Sequence, residues 1–240
     1  MTIRAVIFDW GGTLSRYADI ELADMWQLAA EHLAPHLPED EPTLMRRFGQ
    51  IEARRWTRTT TDQRSGTLAD IIAEATAELG VDVGEAILEE AAVRYLDAWT
   101  PHIAHDPEAA ETLAALRERG LKIGLLSNTH WPRAFHEHFL ERDGLAQQID
   151  ARLYTSEMPY MKPHADAFRS ALAALDLSEG EEAVFVGDRP LDDIYGAQQL
   201  GMRAVLRPNS LVGSFDVQPD ATIARLPELL PLIDRWIAGD

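Results

Sequence analysis

The chain has 240 residues, 40 acidic and 22 basic, for a formal net charge of −18. With 46% apolar and 26% charged residues it has globular composition, which excludes disorder over most of its length. The charge argues against nucleic-acid and anionic-membrane partners, which need a positive footprint. The absence of cysteine removes disulfides, thiolate nucleophiles and cysteine-ligated metals. No run approaches the roughly 18 apolar residues of a membrane span. The first apolar run ends on a carboxylate rather than continuing as a signal peptide, so a soluble, cytoplasmic protein is expected.

Ile3 to Phe8 is almost continuously apolar and predicts a buried strand. It ends on Asp9-Trp10-Gly11-Gly12-Thr13, where two glycines require a sharp turn. From Tyr17 to Thr100 helical periodicity takes over, over Ile20 to Leu33, Pro42 to Arg55, Thr67 to Leu79 and Glu85 to Trp99. No strand pattern interrupts these four segments.

After Pro101 strands and helices alternate. Pro107 to Arg119 predicts a helix stopped by Gly120, and Leu121 to Leu126 a strand ending on Ser127-Asn128. Trp131 to Leu140 is helical and Ala151 to Thr155 a weak strand. Pro163 to Leu175 predicts a helix with proline at its first position. Ala183 to Val186 is a strand ending on Gly187-Asp188, and Leu191 to Leu200 a helix. Ala204 to Leu206 and Ala221 to Ile223 are short strands before a C-terminal helix. Such alternation implies a Rossmann-like α/β core, a parallel sheet with helices on both faces and ligands beyond the carboxyl ends of its strands. The expected domains are a core of 1–16 and 101–240 and an inserted all-helical cap of 17–100.

Three predicted strands end on Asp9, on Ser127-Asn128 and on Asp188, with Asp192 and Asp193 close behind. If these strands are neighbours, the groups meet at one sheet edge with Lys162. Converging carboxylates repel unless a cation sits among them, and hard oxygen donors favour Mg²⁺. Lys162 supplies a point charge for a phosphoryl group. Ser127 and Asn128 can donate to its oxygens, and the amides of Trp10, Gly11 and Gly12 can cradle it. Taken singly, each has a plainer reading: Asp9 a turn former, Ser127-Asn128 a helix cap, Lys162 a solvated charge, the Asp188 cluster surface acid. Lysine at that position is notable because only Lys122 and Lys162 among the 22 basic residues are lysines.

Asp9-Trp10-Gly11-Gly12-Thr13-Leu14, Leu126-Ser127-Asn128, Lys162-Pro163 with Phe168, and Val186-Gly187-Asp188 through Asp193-Ile194 with Gly196-Ala197 fall in a specific order. That ordered set resembles the four motifs of the haloacid dehalogenase-like (HAD) hydrolase superfamily, over essentially the whole chain. A helical insertion directly after the first motif is similar to its C1-cap arrangement. The resemblance implies that Asp9 is the nucleophile and forms an aspartyl-phosphate. It implies Mg²⁺ held by Asp9, the Gly11 carbonyl, Asp188 and Asp193. It assigns the phosphoryl group to Ser127 and Lys162, and the substrate class to small phosphorylated or otherwise anionic metabolites. A monomer or homodimer is expected.

One position departs from the phosphatase pattern. The aspartate that protonates the leaving alcohol is Gly11 here, and losing a general acid–base costs roughly 10²–10⁴ in rate. Either another group replaces it (His130, His164, Tyr17, Asp19 or Asp24) or the leaving group needs no proton. Two other readings stand beside phosphohydrolysis: a HAD-fold binding or regulatory protein with little turnover, and a 2-haloacid dehalogenase. Dehalogenases lack the acidic fourth motif, so Asp188 and Asp193 argue against the latter. Schiff-base chemistry from the cap is excluded because neither lysine lies there.

Six arginines fall between Arg46 and Arg64 in this acidic chain. They form a subsite for a carboxylate or second phosphate, or they pair with the acidic cap surface; pairing is the expectation. Trp26, Trp56 and Trp99 are read as packing, Trp10 as a pocket wall, His102 and His105 as structural, and Asp192 as a helix cap.

Overall fold

The sheet follows from the apolar runs. A computed structural model describes residues 3–18, 20–178 and 180–239. Among these, six strands form one parallel sheet: β1 (Ala5–Phe8), β2 (Lys122–Ser127), β3 (Ala151–Tyr154), β4 (Ala183–Gly187), β5 (Arg203–Leu206) and β6 (Ala221–Thr222). Their order is β3-β2-β1-β4-β5-β6. β1 and β4 are buried along their whole length, as continuous apolar runs in a doubly covered sheet should be. The central strand β1 lies between β2 and β4, with Phe8 opposite Leu125 and Val186. The three polar strand ends therefore emerge side by side.

Helices cover both faces. On one, α5 (Ala109–Glu118), α6 (Arg133–Arg142) and α9 (Leu229–Ala238) bury Val6, Phe8, Leu113, Leu125, Phe139 and Ile233 in one cluster. On the other, α7 (Ala165–Ala174) and the short α8 (Gly196–Gln198) bury Ile7, Phe168, Phe185 and Ala197.

Between β1 and β2 the chain is helical: α1 (Gln27–Leu33), α2 (Glu41–Trp56), α3 (Leu68–Glu78) and α4 (Glu85–Trp99). These pack around a cluster of their own, in which the ring of Trp26 lies 4.7 Å from Phe48 and 4.0 Å from Tyr95. Local signals set their starts. Asp40 accepts the Thr43 amide before α2, and Thr67 and Asp70 form a reciprocal capping box at α3.

Three elements differ from expectation. The predicted Ile20–Leu33 helix is a 3₁₀ turn over Leu22–Trp26 followed by α1. The predicted Pro163–Leu175 helix begins later: His164 is the N-cap and Pro163 lies outside. The predicted Leu191–Leu200 helix opens as a π-helical turn over Pro190–Tyr195. Such wide turns recur at functional sites; here the Asp193 carboxylate folds back to accept the Arg189 amide at 2.9 Å. No helix among the described residues is long and apolar enough to cross a membrane.

Candidate active site

Asp9 directly follows β1, and its amide donates to Val186 O at 2.9 Å, extending the β1–β4 ladder into the site. The chain then turns sharply: Trp10 O accepts the Ser15 amide and Gly12 N donates to Ser15 O, both at 2.7 Å. Gly12 has φ +81°, and an added Cβ would lie 2.5 Å from Asp188 Oδ2. Only glycine suits both demands. Trp10 is fixed from outside the turn. Its indole N–H donates to His105 Nε2 at 3.0 Å, and His105 Nδ1 meets Asp143 Oδ2 at 2.7 Å. An indole can only donate, so the proton of His105 sits on Nδ1 and is given to Asp143.

Lys162 is the electrostatic centre. Its buried ammonium donates to Asp9 Oδ1 and to Asp193 Oδ1, each at 2.7 Å. Its backbone is clamped by Asn128, whose Oδ1 accepts Lys162 N–H and whose Nδ2 donates to Lys162 O, both at 2.9 Å. The Asn128 side-chain amide is thus committed to positioning Lys162. Burial alone would lower the Lys162 ammonium, but Asp193 and Asp9 overcome it and hold the ammonium well above its ordinary value. Asp9 is pushed up to about 6, by burial first, because it shares this one ammonium with Asp193.

Asp188, 1% exposed, has neither the ammonium nor any other partner: both carboxylate oxygens are buried without a hydrogen bond among the described residues. Burial, then the charges of Asp9 and Asp193, push it up to about 8. Oxygens of Asp9, Asp188 and Asp193 lie within 4.8 Å of one another. Three hard oxygen donors with one carboxylate wholly orphaned fit a divalent cation.

Above this cluster lies a cavity of about 280 Å³ between the sheet edge and the helical segment. Asp9, Gly11, Ser127, Asn128 and Lys162 line its floor, and Trp10, Trp99 and Trp131 are wall residues. The nearest partner of the Ser127 hydroxyl is Asn128 O at 3.5 Å, which leaves it available to a ligand. Gly12 does not line the cavity, and its amide is engaged by Ser15. The amides of Trp10 and Gly11 have no backbone partner among the described residues.

The groups weighed as substitutes for the absent acid separate clearly. Tyr17 lines the cavity, its hydroxyl accepting from Arg189 Nη2 at 3.2 Å, and burial raises it further from ionisation. His130 does not line it; it packs at a tilt against Trp56 with ring centroids 4.3 Å apart, and burial drops it to about 4. His164 caps α7 and stacks on Tyr160, Asp24 is exposed on the 3₁₀ turn, and Asp19 lies outside the described residues. None of the six arginines from Arg46 to Arg64 lines the cavity. Arg47 pairs with Glu39 and Glu78, and Arg54 and Arg55 pair with Glu74.

Several residues carry more than expected. Trp26 is packing, but Trp56 and Trp99 also line the cavity, as does His102. Asp192 is buried within the π-helical turn, 3.7 Å from Arg189, and does not cap it. Glu52 was not singled out in the sequence, and it lines the cavity at 2% exposure. Its Oε2 accepts from Trp26 Nε1 at 2.8 Å and its Oε1 from the Tyr95 hydroxyl at 2.9 Å. Burial pushes it up to about 7. A signal existed: Glu52 lies at i+8 of the Leu44, Phe48, Ile51 stripe, a charge on an apolar face.

The chain is similar in sequence and fold to known proteins. The chain is 28% identical over 156 residues to the glyceraldehyde 3-phosphate phosphatase of Pyrococcus furiosus, covering 62% of each chain. The match thus spans less than two thirds of that relative's length. A HAD phosphatase structure from Thermococcus onnurineus superposes with TM-score 0.67 at 25% identity, covering 96% of this chain and 98% of that one. A 2-haloacid dehalogenase from Pseudomonas syringae pv. Tomato superposes with TM-score 0.71 at 26% identity, covering 98% and 100%. The family model for haloacid dehalogenase-like hydrolases matches residues 3–201, and the chain belongs to that family.

Proposed function

We propose that the protein is a Mg²⁺-dependent phosphohydrolase that cleaves small phosphorylated metabolites through an aspartyl-phosphate on Asp9, with residues 17–100 as a cap over a core of 1–16 and 101–240. The observation that carries this reading is Asp188: a buried carboxylate with both oxygens orphaned, beside Asp193 and beside Asp9, which lines the floor of the cavity. Asp9, Asp188 and Asp193, with the Gly11 carbonyl, would hold the ion, which would supply Lewis-acid charge neutralisation when bound. A metal-free dehalogenase has no use for such a cluster.

The chain's own groups then have definite tasks. Lys162 fixes Asp9 Oδ1 and leaves Oδ2 to attack phosphorus. The bond from Oδ2 to phosphorus forms as the bond to the leaving oxygen breaks. The amides of Trp10 and Gly11 and the Ser127 hydroxyl donate to the phosphoryl oxygens, and the Lys162 ammonium balances their charge. Water then cleaves the acyl phosphate and restores Asp9. Gly11 supplies no proton, so groups that leave without one are favoured.

The test is turnover of p-nitrophenyl phosphate with Mg²⁺ and with EDTA, beside Asp9→Asn. Metal-dependent turnover lost in the variant is expected. Turnover undiminished by EDTA or by Asp9→Asn refutes the mechanism. The second reading, a binding protein with little turnover, is favoured specifically by Gly11; it predicts phosphate-ester binding without release of phosphate.

A further inference from the structure

The segment between β1 and β2 brings very little charge to the cavity. Among the described residues of 17–100, the ones that line the cavity are Tyr17, Ala18, Leu22, Glu52, Trp56 and Trp99. One of these is formally charged, and it is an acid. Arg47, Arg54 and Arg55 of the same helix pair with Glu39, Glu74 and Glu78. The arginines that reach the cavity, Arg16 and Arg189, come from the core, and Arg189 is held by Tyr17 and Asp192.

Glu52 is also unpaired in charge. Its hydrogen-bond donors, Trp26 and Tyr95, are neutral, and among the described residues it has no salt bridge. The Trp56 indole, also neutral, adds a hydrogen bond that favours the charged form, and no cation does. Burying such a group is costly without a cation, which agrees with its upward shift. The indoles of Trp56 and Trp99 line the same cavity, the ring type that attracts cations most strongly; Trp56 already faces the Arg189 guanidinium at 5.8 Å, which leaves Trp99 for a ligand.

We propose that the cap face of this cavity is a subsite for a positively charged nitrogen on an apolar or aromatic leaving group, with Glu52 as its counter-charge and the Trp99 indole as its aromatic wall. The proposal rests on the phosphohydrolase reading and narrows it. A leaving group bearing a carboxylate or second phosphate would meet Glu52 with no cap cation to offset it. An alkylammonium would complete the charge pair that the fold leaves open and favour the ionised form of Glu52.

Three para-substituted phenyl phosphates of similar size test this with Mg²⁺ present: one bearing a trimethylammoniomethyl group, one its neutral 2,2-dimethylpropyl isostere, and one a carboxymethyl group. The expected kcat/KM order is cationic, neutral, anionic, with about tenfold or more between the first and second. Glu52→Gln, with its thermal melt checked against wild type, should collapse that preference. Equal rates for the three esters, or a preference that survives in Glu52→Gln, overturns the subsite. If the variant does not fold, the wild-type order alone decides. Failure of all three esters to turn over refutes the phosphohydrolase reading instead, so the two failures are distinct.

Discussion

Replacing Asp188 by asparagine should stabilise the metal-free protein and remove its response to Mg²⁺. The carboxyl is pushed from 3.8 to about 8 by burial and by Asp9 and Asp193. A carboxyl raised on folding contributes stability below its unfolded pKa and loses it as pH rises towards the folded value. At pH 7 it holds a proton that the unfolded chain releases. Over the interval from 3.8 to 7, at about 1.4 kcal/mol per unit, this costs about 4 kcal/mol. Asparagine has nearly the same shape and no charge, but a buried unpaired amide costs about 1–3 kcal/mol. A net gain of about 1–3 kcal/mol remains, or about 2–12 °C in Tm for a chain of this size. Mg²⁺ at 100 times its Kd should stabilise wild type by about 2.7 kcal/mol and the variant much less. Thermal melts by circular dichroism at pH 7 should therefore show the variant ahead in EDTA and wild type gaining with Mg²⁺. A variant that tracks wild type in both buffers refutes the orphaned carboxylate and the ion assigned to it.

Gly11→Asp tests the missing acid directly. A Cβ at Gly11 meets nothing within 4 Å, so the side chain has room. Alkyl phosphates, which need a proton, should gain up to about 10²–10⁴ in kcat/KM, and p-nitrophenyl phosphate far less; equal gains for both would point to another cause. His130→Phe should blunt acid destabilisation. Burial drops this histidine from 6.5 to about 4, so its contribution is intact above pH 6.5 and is lost as pH falls through 4. The phenyl ring can keep the tilted contact with Trp56 and removes up to about 3 kcal/mol of that loss. Melts at pH 7 and 4.5 check this, and the same drop in Tm for both proteins would show that His130 is not responsible.

The sheet and its site were legible because each reading used a local signal with a topological consequence. Continuous apolar runs marked strands buried on both faces, and their polar ends marked one edge. Asp9, Ser127 and Asp188 needed only β1 to lie between β2 and β4 for their ends to meet, and it does. What escaped depended on side-chain choices that no spacing records. Asn128 looked like a phosphoryl donor, yet its amide closes on the backbone of Lys162. The regular period over Leu191 to Leu200 concealed a π-helical turn, because the deciding contact is Asp193 returning to the Arg189 amide.

The segment between β1 and β2 is instructive in another way. Its arginines were conspicuous because the chain is acidic, and Arg47, Arg54 and Arg55 on α2 pair with acidic residues as expected. The same acidity hid Glu52, one of 40 acidic residues and the one of its helix turned towards the cavity. Density of charge along a sequence is dominated by surface pairs worth little each. A single carboxylate on an apolar stripe is rarer and costs more, so it says more about what the fold accommodates. Position 11 makes the complementary point. Glycine is not required there by any contact, since a Cβ would stand in open space. Gly12 beside it is fixed by its φ and by Asp188. Two adjacent glycines thus have unrelated causes: one is geometry, and the other leaves the choice of leaving group to the pocket above it.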